Sequence, residues 1–182
     1  MARKALLIMG IQNDYCMGGS MGISKCVDII PKINKIKSKF DCVFYIKDWY
    51  PHDHKIFKSN GGKYPNHCIQ HSSGAKIHKF LKITDEDKII HKNTNKLYTS
   101  KSAFYNATKV DDQTPLNFYL EKENINDIYV CGLRTDCLYI TLLDAYKFRY
   151  KCYYIYDVTI NNTRSNNHIK KLGIKFVKSV NI

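Results

Sequence analysis

Six short apolar runs punctuate the chain, at residues 5–9, 42–46, 88–91, 128–131, 152–156 and 174–177. Each is rich in β-branched or aromatic residues and ends at a glycine or a charged or polar residue, the pattern of buried strands. Between several of them apolar residues recur at helical spacing. Helices are predicted over 26–40, with Pro31 near the first turn, and over 115–123, 137–148 and 164–171, the last closed by Gly173. Residues 49–78 keep no period and are dense in Gly, Pro, His and Asn. A loop that long inside a compact domain is usually functional. Continuous apolar strands alternating with helices predict one α/β domain over residues 1–182: a six-stranded parallel sheet with helices on both faces.

In such sheets the active crevice lies beyond the carboxyl ends of the strands, so the residue that follows each strand carries information. Here the first four strands run into Gly10 with a Gln-Asn-Asp loop, Asp48, Lys92, and a turn leading to Cys137. A carboxylate, an amine and a thiol are thereby directed to one edge. Cys137 falls in the first turn of a predicted helix, where unpaired amides and the positive end of the helix dipole favour thiolate and can hold an oxyanion. On spacing alone the same pattern also suits a small buried residue at a helix start.

Composition adds less. The 182 residues suffice for a proper core, and no apolar run approaches membrane-spanning length or forms a signal peptide, which implies a cytoplasmic chain without membrane attachment. The net charge of +13 invites a nucleic-acid reading. The lysines, however, are spread along the whole chain beside abundant Asn, Ile and Tyr, and the basic segment 31–39 has the Ile33 and Ile36 spacing of an ordinary amphipathic helix. No specific nucleic-acid motif stands behind the charge. Seven cysteines, Cys16, Cys26, Cys42, Cys68, Cys131, Cys137 and Cys152, are scattered without CxxC spacing, so they are expected to be reduced thiols. Cys16, Cys42, Cys68 and Cys131 read as packing residues, and Asp136 reads as a helix cap.

The stretches LLIMGIQNDYCMGGSM, KDWYPHDH, KYPNHCIQ, IIHKNTNKLYTSKSAF and CGLRTDCLYITLLDAYKFRYK, in this order, resemble the nicotinamidase/pyrazinamidase branch of the isochorismatase-like cysteine hydrolases over nearly the whole length. The resemblance implies a Rossmann-like fold and hydrolysis of a small amide such as nicotinamide to nicotinate and ammonia, a step of NAD salvage. By the same resemblance the nucleophile falls on Cys137 and the supporting lysine on Lys92. The metal ligands for zinc, manganese or iron fall on Asp48, His54 and His67, and the substrate-stacking aromatics on Tyr15 and Tyr64. It leaves homo-oligomerisation open.

The departures are as specific as the matches. The family's general-base aspartate, at the end of the first strand, is Gly10 here. Its second metal ligand, a histidine two residues after the aspartate, is Tyr50, which weakens the metal site; His52 lies in the same loop as a substitute. The turn before Cys137 is one residue short, and the segment from Asp157 to Gly173 is also shorter. Asp14, the nearest carboxylate in sequence, is retained by the family beside its base and does not replace it. Because general-base assistance contributes typically ~10²–10⁴ in rate, glycine at position 10 predicts impaired turnover. The alternative is a catalytically inactive family member acting as a ligand-binding or regulatory protein.

Overall fold

In the computed structural model, residues 2–160 and 170–182 are described. Strand β1 (Arg3–Met9) lies at the centre of a parallel sheet with β2 (Cys42–Asp48) and β3 (Lys88–Lys92) on one side. On its other side follow β6 (Ile125–Gly132), β7 (Lys151–Thr159) and β8 (Lys175–Val177). The spatial order is β3-β2-β1-β6-β7-β8, and every pairing in this sheet is parallel. The chain builds outward from β1 in one direction, then returns and builds outward in the other. This reversal leaves a crevice at the carboxyl ends of β1 and β6, where open parallel sheets bind ligands.

Both faces of the sheet are covered, because the strand side chains alternate. Leu6 and Ile8 of β1 and Val43 and Tyr45 of β2 join Ile29, Ile30, Ile33 and Ile36 of α1 (Cys26–Ile36). Ala5, Leu7, Met9, Phe44 and Ile46 face the opposite layer. There they meet Leu116 and Leu120 of α2 (Leu116–Lys122) and Leu138, Leu142 and Ala145 of α3 (Thr135–Lys147). Central strands buried on both sides must be apolar at every position, which is why they read as continuous runs.

The six-stranded parallel sheet agrees with the sequence expectation; the first five strands reach or pass their apolar runs, while β8 is one residue shorter than expected. α1 ends at Ile36 and tightens into a 3₁₀ turn, Lys37–Lys39, rather than running to residue 40. A small antiparallel pair, β4 (Tyr105–Ala107) and β5 (Asp112–Gln113), was not foreseen, being too short for any period to register. The helix expected at 164–171 falls, but for its last two residues, outside the described residues.

One expectation is overturned. Cys16 and Cys26 form a disulfide, with Cα atoms 5.2 Å apart, and the other five cysteines are free and buried. The loop after β1 folds back across the start of α1, a proximity that a spacing of ten residues does not announce. Among the described residues, no helix is long and apolar enough to cross a membrane.

Candidate active site

The turn between β6 and α3 is built by two residues with positive φ. Gly132 (φ +118) pairs with Met9 at the end of β1, and a side chain at 132 would collide with the Met9 carbonyl oxygen. Arg134 follows in the left-handed region (φ 63) as the residue preceding α3, and its carbonyl accepts the amides of Cys137 at 2.7 Å and Leu138 at 3.2 Å. Cys137 thus sits in the first turn, as expected from sequence, but its own amide is engaged within the turn. Asp136 is not the helix cap: it is exposed and its carboxylate meets Lys101 at 3.0 Å. The residue preceding the helix is instead Arg134, selected by the turn geometry.

Asp48 and Lys92 end adjacent strands in register, which brings their side chains together. The Lys92 ammonium lies 2.9 Å from Asp48 Oδ1 and donates to the Ser100 carbonyl at 2.6 Å. Asn93 donates to Asp48 Oδ1 at 2.6 Å and to the Tyr50 hydroxyl at 3.1 Å, while the Tyr15 hydroxyl donates to Asp48 Oδ2. Gln12 clamps the Asp48 backbone from both sides, at 2.8 Å and 2.7 Å. Burial opposes the Asp48 charge, but the Lys92 ammonium and the Tyr15 hydroxyl hold its pKa below the ordinary carboxylate range. Burial also pushes the Cys137 thiol up, with Lys92 and Arg134 offsetting part of the rise. The thiol is therefore protonated at neutral pH.

A cavity of about 120 Å³ opens onto this group, lined among others by Asp48, Tyr64, His67, Lys92, Arg134 and Cys137. A small recess beneath it, bounded by Gly10, Arg134 and Cys137, leads to the end of β1. The sequence thus placed Cys137, Lys92, Asp48 and His67 around one space. Tyr64 is 42% exposed at the cavity's mouth, where an aromatic ring can cover a ligand. Tyr15 differs from its expectation as a stacking residue. It is fully buried, it binds Asp48 through its hydroxyl, and the Arg134 guanidinium lies over its ring at 4.9 Å. Asp14 turns away: its carboxylate accepts the Cys68 amide at 2.7 Å and lies against Gly74.

Gly10 has φ +65, and a Cβ built there would lie 3.3 Å from Arg134 Cγ. The space that a side chain at position 10 would enter is thus bordered by the arginine. Sequence reasoning passed over Arg134, although a long cationic residue in a turn directed at a strand-end crevice was a usable signal. Asn93 was also missed; its positive φ of 61, tolerated by asparagine, aims it back at Asp48.

The residues carried over as metal ligands do not fit that task. The Ile56 amide donates to His54 Nδ1 at 2.9 Å, so the ring proton is on Nε2, which faces the Tyr98 carbonyl at 3.3 Å. No imidazole lone pair is left for a cation. His67 donates through Nδ1 to the Pro65 carbonyl at 2.8 Å and keeps one lone pair on Nε2. Tyr50 is a phenol held neutral by burial, which lifts its pKa well above the ordinary value, and His52 is exposed. Both Asp48 oxygens already accept hydrogen bonds. Among the described residues no group of three or more His, Cys, Asp or Glu side chains could hold a metal ion.

A parallel sheet in this order, with a cysteine at a helix start facing a lysine and an aspartate on neighbouring strand ends, defines an α/β protein with a thiol-lined crevice beyond its strand ends. The isochorismatase domain model matches residues 4–175, and the chain belongs to that family. Within it, the nicotinamidase of Acinetobacter baylyi is 32% identical over 170 residues, spanning 84% of this chain and 79% of that protein. The nicotinamidase of Escherichia coli is 31% identical over 177 residues, covering 86% and 83%. Among solved structures, an Acinetobacter baumanii nicotinamidase superposes with a TM-score of 0.90 at 29% identity, over 100% of this chain and 98% of that one. A zinc complex of Pyrococcus horikoshii pyrazinamidase gives a TM-score of 0.87 at 29% identity, covering 97% and 99%. PnC1 of L. infantum in complex with nicotinate gives 0.91 at 27%, covering 98% and 94%. The chain is nicotinamidase-like in sequence and fold.

Proposed function

We propose that this chain acts on small aromatic amides of the nicotinamide type with Cys137 as nucleophile, and that its turnover is strongly impaired. The Cys137 sulfur attacks the carboxamide carbon as thiolate. The C–N bond breaks, ammonia leaves with a proton, and water cleaves the thioester to release the carboxylate and restore the thiol. Two proton transfers are needed before the thioester forms: one off the sulfur and one onto the leaving nitrogen. A single carboxylate at position 10 would carry both, and Gly10 can carry neither.

The observation behind this reading is that position 10 carries no side chain and that the space one would enter is bordered by Arg134. Lys92 does not substitute, since its ammonium is held by Asp48 and the Ser100 carbonyl. Three donors on Asp48 likewise make it a structural anion. At positions that the sequence resemblance assigned to metal ligands this chain has Tyr50 and a proton-bearing His54 Nε2, and we read its site as working without a resident divalent ion.

The test is ammonia release from nicotinamide by purified protein, with and without added zinc, manganese or iron(II). Slow release that is lost in Cys137→Ala is the expected result, and ordinary family-level turnover would refute the impairment. Complete absence of release, with ligand still bound, would favour the second reading, a binding protein that keeps the pocket. Arg134 is the specific observation that supports that alternative.

A further inference from the structure

Among the described residues, the charged side chains lining the cavity are one carboxylate, Asp48, and three cations, Lys92, Lys101 and Arg134. Two of these cations are answered. Lys92 lies 2.9 Å from Asp48, and Lys101 lies 3.0 Å from Asp136 at the rim. Arg134 has no carboxylate within ion-pairing distance among the described residues. One face of its guanidinium rests on the Tyr15 ring, at 4.9 Å. Stacking of this kind orients a guanidinium without using its N–H donors, which lie in the plane of the group. The amino end of α3, whose dipole also favours negative charge, begins one residue later.

We propose that this cavity selects a small planar aromatic carboxylate over the corresponding neutral amide, with Arg134 as the residue that reads the charge. The inference rests on the reading of the cavity as a nicotinamide-type site and changes which member of the amide–acid pair it holds. A partly buried guanidinium that feels Asp48 only at a distance and has Cys137 as a weak acceptor is a costly arrangement, and a ligand carboxylate supplies both a close countercharge and paired acceptors. An amide offers the guanidinium a single neutral acceptor, which meets one of its paired donors and leaves its charge unanswered. With about 120 Å³ available, the cavity suits a single ring bearing one such group, and Tyr64 stands at the mouth to cover it. The same arginine that borders the space beside Gly10 thus converts a site for hydrolysing an amide into one that retains the acid.

Calorimetric titration of the full chain at neutral pH with two matched pairs tests this: nicotinate against nicotinamide, and benzoate against benzamide. In each pair the acid is expected to bind at least about tenfold more tightly. Arg134→Gly, which suits the positive φ at that position, should weaken acid binding roughly ten- to hundredfold and amide binding by a clearly smaller factor. Arg134→Lys should keep part of the preference. Amides binding as tightly as acids, or equal losses for both in Arg134→Gly, would overturn the inference while leaving the proposed function standing. Failure of all four compounds to bind would overturn both. If the glycine variant does not fold, the wild-type pairs decide the question alone.

Discussion

Placing an aspartate at position 10 looks like a simple repair, and the structure says that by itself it should fail. Gly10 has a φ of +65, where a non-glycine residue costs on the order of 1–3 kcal/mol, with aspartate among the better tolerated. Its new Cβ would meet ordinary contacts to Tyr15 at 3.7 and 3.9 Å and a tight one to Arg134 Cγ at 3.3 Å. The larger obstacle is electrostatic. A carboxylate there would be captured by the adjacent guanidinium, which binds its oxygens and lowers its basicity, so it would not take the Cys137 proton. Gly10→Asp alone should therefore raise ammonia release from nicotinamide by less than about tenfold, and Arg134→Gly alone should leave it nearly unchanged. The double variant should recover a large part of the ~10²–10⁴ that a general base supplies. Steady-state ammonia assays on the wild type, both singles and the double complete the cycle. The expected non-additivity exceeds tenfold, about 1.4 kcal/mol. A single Gly10→Asp variant as active as the double would refute the argument that Arg134 blocks the base.

Three further outcomes follow from the same geometry. Because burial raises the Cys137 pKa, its thiolate fraction is small at pH 7 and grows as pH rises, so iodoacetamide labelling, mapped by mass spectrometry, should accelerate steadily towards and beyond pH 9; rapid labelling at pH 7 would contradict this. Tyr15→Phe removes a buried donor to an ionised carboxylate and should cost about 2 kcal/mol, lowering Tm by roughly 4–8 °C; an unchanged Tm would show that the bond to Asp48 contributes nothing. Zinc added to purified protein should leave Tm unshifted, since binding to the folded state alone would raise it; a concentration-dependent rise would show that the His54 and Asp48 donors rearrange to accept a cation.

The residue pattern determined the layers of this protein. Strands buried on both faces must be apolar over their central residues, so β1 and β2 announce themselves most clearly, and the residues that follow the first strands, Asp48, Lys92 and the turn before Cys137, are bound to share an edge once the sheet is parallel. The absence of a carboxylate at position 10 was equally visible. Contacts between distant segments decided the rest. The Cys16–Cys26 disulfide depends on how the loop after β1 lies across α1. Tyr15 is a buried partner of Asp48 instead of a cavity wall because that same loop turns its ring inward. His54 loses its lone pair to the Ile56 amide two residues along, a local bond invisible in composition. The role of Arg134 depends on a left-handed turn that directs its side chain over Tyr15 and beside Gly10. Sequence specifies which chemical groups arrive at the strand ends; only the fold decides which of them face each other, because hydrogen bonds and charge pairing act over a few ångströms whatever the separation along the chain.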